Sequence, residues 1–361
     1  MPTMDANKQR VIVAMSGGVD SSVAAALLVR QGFQVSGMML RLWSEESAEQ
    51  ANRCCTPDAV ALARRVSAIL GIPFYVLDAK ETFKETVLRG FLDGSRRGET
   101  PNPCLVCNRD VRWGFLFRQA RLAGADYLAT GHYARIVPAH GGGYELHKGV
   151  DERKDQSYVL HMLDQERLAH TLLPLGGLTK AEVRDLAAQL GLPVAQRHDS
   201  QDLCFLGGED YRQFLLRRQP DFEDPGPILD ENGNLLGRHR GLAFYTIGQR
   251  KGLGIAAPQP LYVKAKLTAN NSLIVAPRAR LGQAEFTARD VCWIAGRPPA
   301  EAFRAEFKIR YQSRPVWGSA EALPGARLRI LLDQPLPDIT PGQSAVAYHG
   351  QVCLGGGVIE A

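Results

Sequence analysis

Met15-Ser16-Gly17-Gly18-Val19-Asp20-Ser21-Ser22 decides how this chain of 361 residues is read. It follows the apolar stretch Val11-Ile12-Val13-Ala14 and opens the alanine- and leucine-rich stretch Val23 to Arg30. The pattern predicts a buried strand, a glycine turn and a helix start. Glycines let the backbone close on a ligand, and the first turn of a helix offers unpaired N–H groups and a positive dipole end. Such a turn suits a phosphate or pyrophosphate. The run has neither the G-x-x-x-x-G-K-[ST] of a P-loop nor the G-x-G-x-x-G of a dinucleotide site. It contains no lysine, so the serines and backbone amides are left to hold phosphate, with Asp20 a candidate for Mg2+.

Outward from this loop, strand and helix alternate. Strands are predicted at 34–40, 74–77 and 127–130, and helices at 21–31, 58–70, 80–92 and 108–122. The alternation implies an α/β doubly wound parallel sheet. Ligands of such sheets sit at the carboxyl ends of the strands, which gathers the Ser16 loop, Leu40 and Gly131 around one nucleotide. Thr179-Lys180-Ala181-Glu182 reads as a capping box before a further helix. Beyond about residue 210 the texture changes to a Pro- and Gly-rich segment. From Glu285 short alternating runs predict a small all-β barrel. Three domains are expected: an ATP-binding catalytic domain at 1–208, a central adaptor at 209–282 and a C-terminal β-barrel at 283–361. Trp43, Trp293 and Trp317 are read as core, as are Cys292 and Cys353.

Composition narrows the class. Hydrophobic residues make up 45% of the chain and the formal charge is +5. No apolar run nears the roughly 18 residues of a membrane span, and no signal or transit peptide is evident, so a cytoplasmic, non-membrane protein, read as a monomer, is expected. Basic residues cluster at Arg96-Arg97, Arg217-Arg218, Arg238-His239-Arg240, Arg250-Lys251 and Arg310 with Arg314. Such clusters favour RNA, and Arg250 and Lys251 are expected on its phosphates. Seven cysteines in a chain of this class point to chemistry or metal binding rather than a disulfide scaffold.

Cys104 and Cys107 form a C-x-x-C after Thr100-Pro101-Asn102-Pro103, just before a predicted helix, where a thiol's pKa can fall. Alone, this pattern is compatible with a redox pair, half a zinc site or an iron–sulfur ligand pair. Cys204 lies in the polar run His198-Asp199-Ser200-Gln201-Asp202-Leu203-Cys204-Phe205, where Asp199 either orients the thiol or caps a turn. Cys54-Cys55 lacks matching partners. His132 reads equally as a substrate contact and as a satisfied structural histidine.

The S-G-G-V-D-S run resembles the pyrophosphate loop of the adenylating amidotransferase and thiolase superfamily. With it occur, in order, Thr100 to Pro103 with Cys107-Asn108, Ala129-Thr130-Gly131-His132-Tyr133, Lys154-Asp155-Gln156-Ser157-Tyr158, Asp199-Ser200 with Cys204-Phe205, Tyr245-Thr246-Ile247-Gly248-Gln249-Arg250-Lys251-Gly252-Leu253-Gly254, and Cys353-Leu354-Gly355-Gly356-Gly357. Together they resemble the tRNA-specific 2-thiouridylase family over nearly the whole chain.

The resemblance implies replacement of oxygen by sulfur at C2 of the wobble uridine in tRNAs for lysine, glutamate and glutamine. ATP would adenylate the 2-oxygen, and sulfur from a persulfide would displace AMP. A cysteine desulfurase, a relay protein or free sulfide would supply the sulfur. By resemblance Ala14, Met15, Ser16, Gly17, Gly18, Val19, Asp20, Ser21, Leu40 and Gly131 contact ATP. Cys107 is the catalytic nucleophile and Cys204 the persulfide carrier. Asn102, Pro103, Cys104, Lys154, Asp155, Gln156, Arg310 and Tyr311 meet the base or the tRNA. Many family members carry aspartate in place of Cys104. The extra thiol raises a second expectation, a 4Fe–4S cluster on Cys104, Cys107 and Cys204. The competing route is cluster-free, through a persulfide and a disulfide. A small-molecule ATP pyrophosphatase would share the loop but would leave the cysteines and the basic β region unexplained.

Overall fold

The computed structural model describes residues 9–42, 56–197, 203–206 and 208–360. Trp43, Cys54, Cys55 and Asp199 lie outside them.

The first layer is a five-stranded parallel sheet. Its strands are β1 (Arg10–Ala14), β2 (Gln34–Arg41), β3 (Phe74–Asp78), β4 (Tyr127–Ala129) and the later β7 (Thr171–Leu172), in the order β3-β2-β1-β4-β7. Helices α1 (Val19–Arg30) and α2 (Pro57–Leu70) carry the chain back between strands. β1 is buried because Val11 and Val13 face one core and Ile12 the other, as a strand covered on both faces requires. β1 pairs in parallel with β2 on one side and with β4 on the other, so the order of the strands, not their direction, reverses at β1 and opens the crevice above the carboxyl ends, where the Ser16 loop lies.

The predicted helix at 108–122 begins earlier. Asn102 caps it, its side-chain oxygen accepting from the Cys104 amide at 3.2 Å, and Pro103 occupies the first helical position, where its missing N–H costs nothing. From Cys107 to Leu116 the helix runs in wider π register, a geometry frequent at functional sites. Both cysteines therefore stand on a helix, not in the loop before it.

A four-stranded sheet within 226–277 forms the middle of the chain, and six strands from Gln283 to Ile359 close a barrel through pairing of Gln283–Trp293 with Val352–Ile359. One feature was not legible in sequence: hairpin β5 (Ala134–Pro138) and β6 (Tyr144–Lys148) leaves the parallel sheet and joins the barrel, Leu146 pairing with Cys353. The barrel is thereby hydrogen-bonded to the chain that carries the crevice. Cys353 is fully buried, as the core reading requires, and its thiol is pushed up to about 12 by that burial. Trp317 is not core. It is 44% exposed, under the Arg304 guanidinium, because strand Val316–Leu323 alternates and turns it outward.

The segment leading to the cysteines is anchored by all three parts of the chain. Buried Glu99 accepts from Arg97 at 3.1 Å and from Arg289 of the barrel at 3.1 Å. Its carbonyl accepts from Lys266 of the middle sheet at 3.2 Å. Thr100 donates its amide to Pro341 and accepts from Gln343 at 2.7 Å.

Candidate active site

The Ser16 turn is built by glycine geometry. Gly17 adopts φ +71°, and a Cβ there would stand 2.5 Å from the Ala59 carbonyl oxygen, so no larger residue fits without shifting α2. Gly18 is the N-cap residue of α1; the Ser22 hydroxyl donates to its carbonyl at 2.8 Å. The Ser21 hydroxyl accepts from the Ser16 amide at 3.2 Å and lies 3.4 Å from the Ser16 hydroxyl. Ser16 itself is exposed to the crevice. Gly131 closes the far side: a Cβ there would meet the Ser21 nitrogen at 2.8 Å. The resulting cavity is about 200 Å³, lined by Ala14, Ser16, Asp20, Leu40, Gly131 and Gln156 among others. Of the residues expected on ATP, Ala14, Met15, Ser16, Asp20, Ser21, Leu40 and Gly131 line it. Gly17, Gly18 and Val19 shape the turn beneath.

The loop has no lysine of its own, and the fold supplies one. Lys180, from the helix capped by Thr179, donates to both carboxylate oxygens of Asp20 at 2.8 Å, and the Tyr133 hydroxyl donates to the same carboxylate at 2.7 Å. Its side chain is only 12% exposed. No local pattern announces this contact, because 160 residues separate the partners. It also bears on Mg2+. The carboxylate expected to hold it is already spanned by an ammonium, so Asp20 does not fit as a ready-made Mg2+ ligand in this arrangement.

A second cation enters from the π-helical segment. Arg112 lines the same cavity and donates to Asn108 at 2.7 Å, with the His132 ring nitrogen 3.4 Å away. His132 is buried against Trp113, its other ring nitrogen 2.7 Å from the Thr130 hydroxyl. Burial, reinforced by Arg112, lowers it to about 3; burial likewise lowers His161 to about 4. Both are neutral at physiological pH. Each binds a proton more readily unfolded, at an ordinary pKa near 6.5, than folded. Stability is therefore full above about pH 6.5 and falls as pH drops towards 4, by roughly 1.4 kcal/mol per pH unit per histidine. Urea midpoints measured from pH 7.5 to 4.5 should show this fall, and His161→Asn should reduce the slope by about half.

Cys107 is buried in an apolar cluster with Phe83, Val87, Phe91 and Phe205, and Cys204 packs against that cluster. The two thiols expected to react thus share one cluster although 97 residues apart. Phe205 pins the short turn Cys204–Leu206 through ring contacts with Phe91 at 5.4 Å and Phe214 at 5.2 Å. Cys104 is exposed at the start of the helix. The expectation of an iron–sulfur ligand set is not met by this arrangement. Among the described residues no three His, Cys, Asp or Glu side chains are grouped to hold a metal ion. The physical reason is that Cys107 points into the apolar cluster while Cys104 faces solvent.

Residues expected on the tRNA divide. Asn102 caps the cysteine helix, and buried Pro103 starts it. The Tyr311 ring lies tilted against Tyr158, centroids 6.1 Å apart; burial, with Asp155 and Cys104 nearby, raises its hydroxyl to about 12. Lys154 is half-buried on the turn before Asp155. Gln156 accepts from the Tyr133 amide at 3.1 Å. Asp155 is spent internally, accepting from the amides of Gly149 and Ser157 and from the Ser157 hydroxyl. Arg310 donates to the Ile247 carbonyl at 3.0 Å and to the Thr340 hydroxyl at 2.5 Å, tying the middle part of the chain to the barrel, while its Nε, 3.6 Å from Asp338, has no hydrogen-bond partner among the described residues. Arg250 and Lys251 are exposed in a glycine-flanked turn.

The chain matches the tRNA methyl transferase HUP domain over residues 9–208, the tRNA methyl transferase PRC-barrel domain over 212–277 and the aminomethyltransferase beta-barrel domain over 283–359. It is 47% identical over 350 residues to a tRNA-specific 2-thiouridylase MnmA of Chloroflexus aurantiacus, covering 97% of this chain and 98% of the relative. It is 48% identical over 354 residues to the protein of that name from Moorella thermoacetica, covering 97% and 99%. A solved 4-thiouridine synthetase–RNA complex with bound ATP aligns with 59% of this chain and 51% of its own at 16% identity and a TM-score of 0.35, too distant to bear on function. Full-length identity of this order, on a chain that carries the pyrophosphate loop and both cysteines in order, means that the chain belongs to the tRNA-specific 2-thiouridylase family.

Proposed function

We propose that this chain is an ATP-dependent tRNA 2-thiouridylase acting at C2 of the wobble uridine in tRNAs for lysine, glutamate and glutamine. The Ser16 loop holds the triphosphate, with Lys180 and Arg112 as the cations beside it. The uridine leaves the anticodon stack to reach the site, as bases do in other base-modifying enzymes. Its 2-oxygen attacks the α-phosphate and releases pyrophosphate. The terminal sulfur of a Cys204 persulfide then attacks C2 and expels AMP. The Cys107 thiolate attacks the Cys204 sulfur, releasing the 2-thiouridine and leaving a Cys107–Cys204 disulfide. An external thiol reductant resets the pair, and a cysteine desulfurase or relay protein reloads Cys204. Mg2+, where required, enters on the triphosphate, which is how it usually binds in nucleotide sites. Asn102, Cys104, Lys154, Gln156 and Tyr311 surround the base, while Asp155 and Arg310 hold the frame.

The observation that carries this reading is one apolar cluster holding Cys107 with Cys204 packed against it, on the helix whose next turn sends Arg112 into the loop's cavity. Methyl transfer, which the matched domain descriptions name, needs neither a triphosphate cradle nor two reactive thiols. The test is thiolation by anaerobically purified protein, with ATP, a thiol reductant and a cysteine desulfurase with cysteine as the persulfide donor, before and after iron–sulfur reconstitution, read as 2-thiouridine by nucleoside mass analysis. Equal product without iron is expected. Product only after reconstitution would make Cys104 a ligand and replace the persulfide route.

A further inference from the structure

A second cavity, of about 470 Å³, lies between the end of β6 and the barrel turn that follows strand Ala302–Lys308. Lys148 and Lys308 enter it from the two sides, with Arg153 and Arg314 at its margins. Each lysine stands on an aromatic ring: Lys148 Nζ lies 4.6 Å from the Tyr348 centroid and Lys308 Nζ 5.7 Å from that of Tyr311. Cation–π contact of this kind holds an ammonium in place without neutralising it. Among the described residues neither lysine is in an ion pair. The nearest buried carboxylate, Asp155, gives its oxygens to Gly149 and Ser157, and Glu152 stands exposed at the rim. Burial lowers the Lys308 pKa, and Lys148 lowers it further against the pull of Asp155. Two like charges drawn together in a partly dry pocket are costly until an anion joins them. Tyr311 lies within electrostatic reach of Cys104, so the cavity adjoins the cysteine helix.

We propose that this cavity is a phosphoryl subsite in which Lys148 and Lys308 together bind one backbone phosphodiester of the RNA strand beside the base presented to the cysteine helix. The proposal rests on the tRNA reading above and deepens it. A free phosphoryl anion, such as the pyrophosphate product, has the same chemistry, so the experiment separates the two sources.

The full-length protein is titrated with a fluorescent anticodon stem-loop between 50 and 250 mM KCl, and separately with inorganic pyrophosphate. Lys148→Met and Lys308→Met keep the aliphatic stems over the tyrosines. Each is expected to weaken RNA binding about 5-fold near 0.1 M salt. The double variant should flatten the log–log salt slope by about 0.7, one single-strand phosphate, rather than twice that. The double Lys→Arg variant should restore the slope, and ATP affinity should be unchanged throughout. RNA binding with an unaltered slope in the double Met variant overturns the proposal. Lysine-dependent pyrophosphate binding without a change in RNA slope overturns the RNA assignment in favour of the product anion. Wild-type protein that binds pyrophosphate but not the stem-loop overturns the tRNA reading and leaves a phosphoryl site of another kind.

Discussion

Cys107→Ser is expected to reduce 2-thiouridine formation by on the order of 10³-fold or more, while tRNA-dependent release of pyrophosphate continues for one turnover. A serine hydroxyl is neither ionised near neutral pH nor able to form the disulfide that frees the product. Adenylation, by contrast, depends on the Ser16 loop and its cations, which this change does not touch. Sulfur should then accumulate on RNA still bonded to Cys204, a species visible by intact-protein mass analysis. Cys204→Ser removes the carrier and should abolish both product and adduct. Cys104→Ser should leave most activity, because Cys104 is exposed and lies outside the buried cluster. Loss of activity in Cys104→Ser equal to that in Cys107→Ser would refute the two-thiol route.

The parts of this site written in local sequence were legible; the parts made by tertiary approach were not. The loop could be read because glycine, serine and a following helix impose its geometry within eight residues. The carboxyl-end positions of Leu40 and Gly131 followed from strand–helix alternation, since a parallel sheet puts its ligands there. The helix starts at Pro103, five residues before the expected Asn108: Pro-x-Pro looks like loop, yet Asn102 and Pro103 are a good cap and first residue. The π register over Cys107–Leu116 has no pattern in the sequence, although it sends Arg112 towards the nucleotide cavity. Asp155 and Arg310 are expected on the RNA by resemblance alone, and no local pattern announces the internal contacts they make. The fold spends the first on its own turn and the second on the joint between the middle part of the chain and the barrel. The β5–β6 hairpin shows the same limit, since nothing in residues 134–148 announces that their partner strand begins at Val352.

Lys180→Met is expected to lower kcat/KM for ATP by about 10²- to 10³-fold, the loss typical of removing one charge-stabilising donor from a preorganised site. The ammonium sits between both oxygens of Asp20 at 2.8 Å and is largely shielded from water, so it is poised to shift towards an arriving triphosphate. Without it, Asp20 faces that triphosphate as an uncompensated anion, and repulsion adds to the lost attraction. The two contributions can be separated. Asp20→Asn placed in the Lys180→Met background should recover part of the loss, about 10-fold, because it removes the repulsion and keeps the amide oxygen for the Tyr133 hydroxyl. Lys180→Arg should be intermediate, since a planar guanidinium cannot reproduce a compact ammonium held between two oxygens. The measurement is tRNA-dependent pyrophosphate release at varied ATP, with thiolation followed in parallel. Both activities should fall together, because adenylation precedes sulfur transfer. If the double variant were no better than Lys180→Met, Asp20 would not oppose the nucleotide. An unchanged kcat/KM for ATP in Lys180→Met would mean that the ion pair only fastens helix Lys180–Gln189 to the loop.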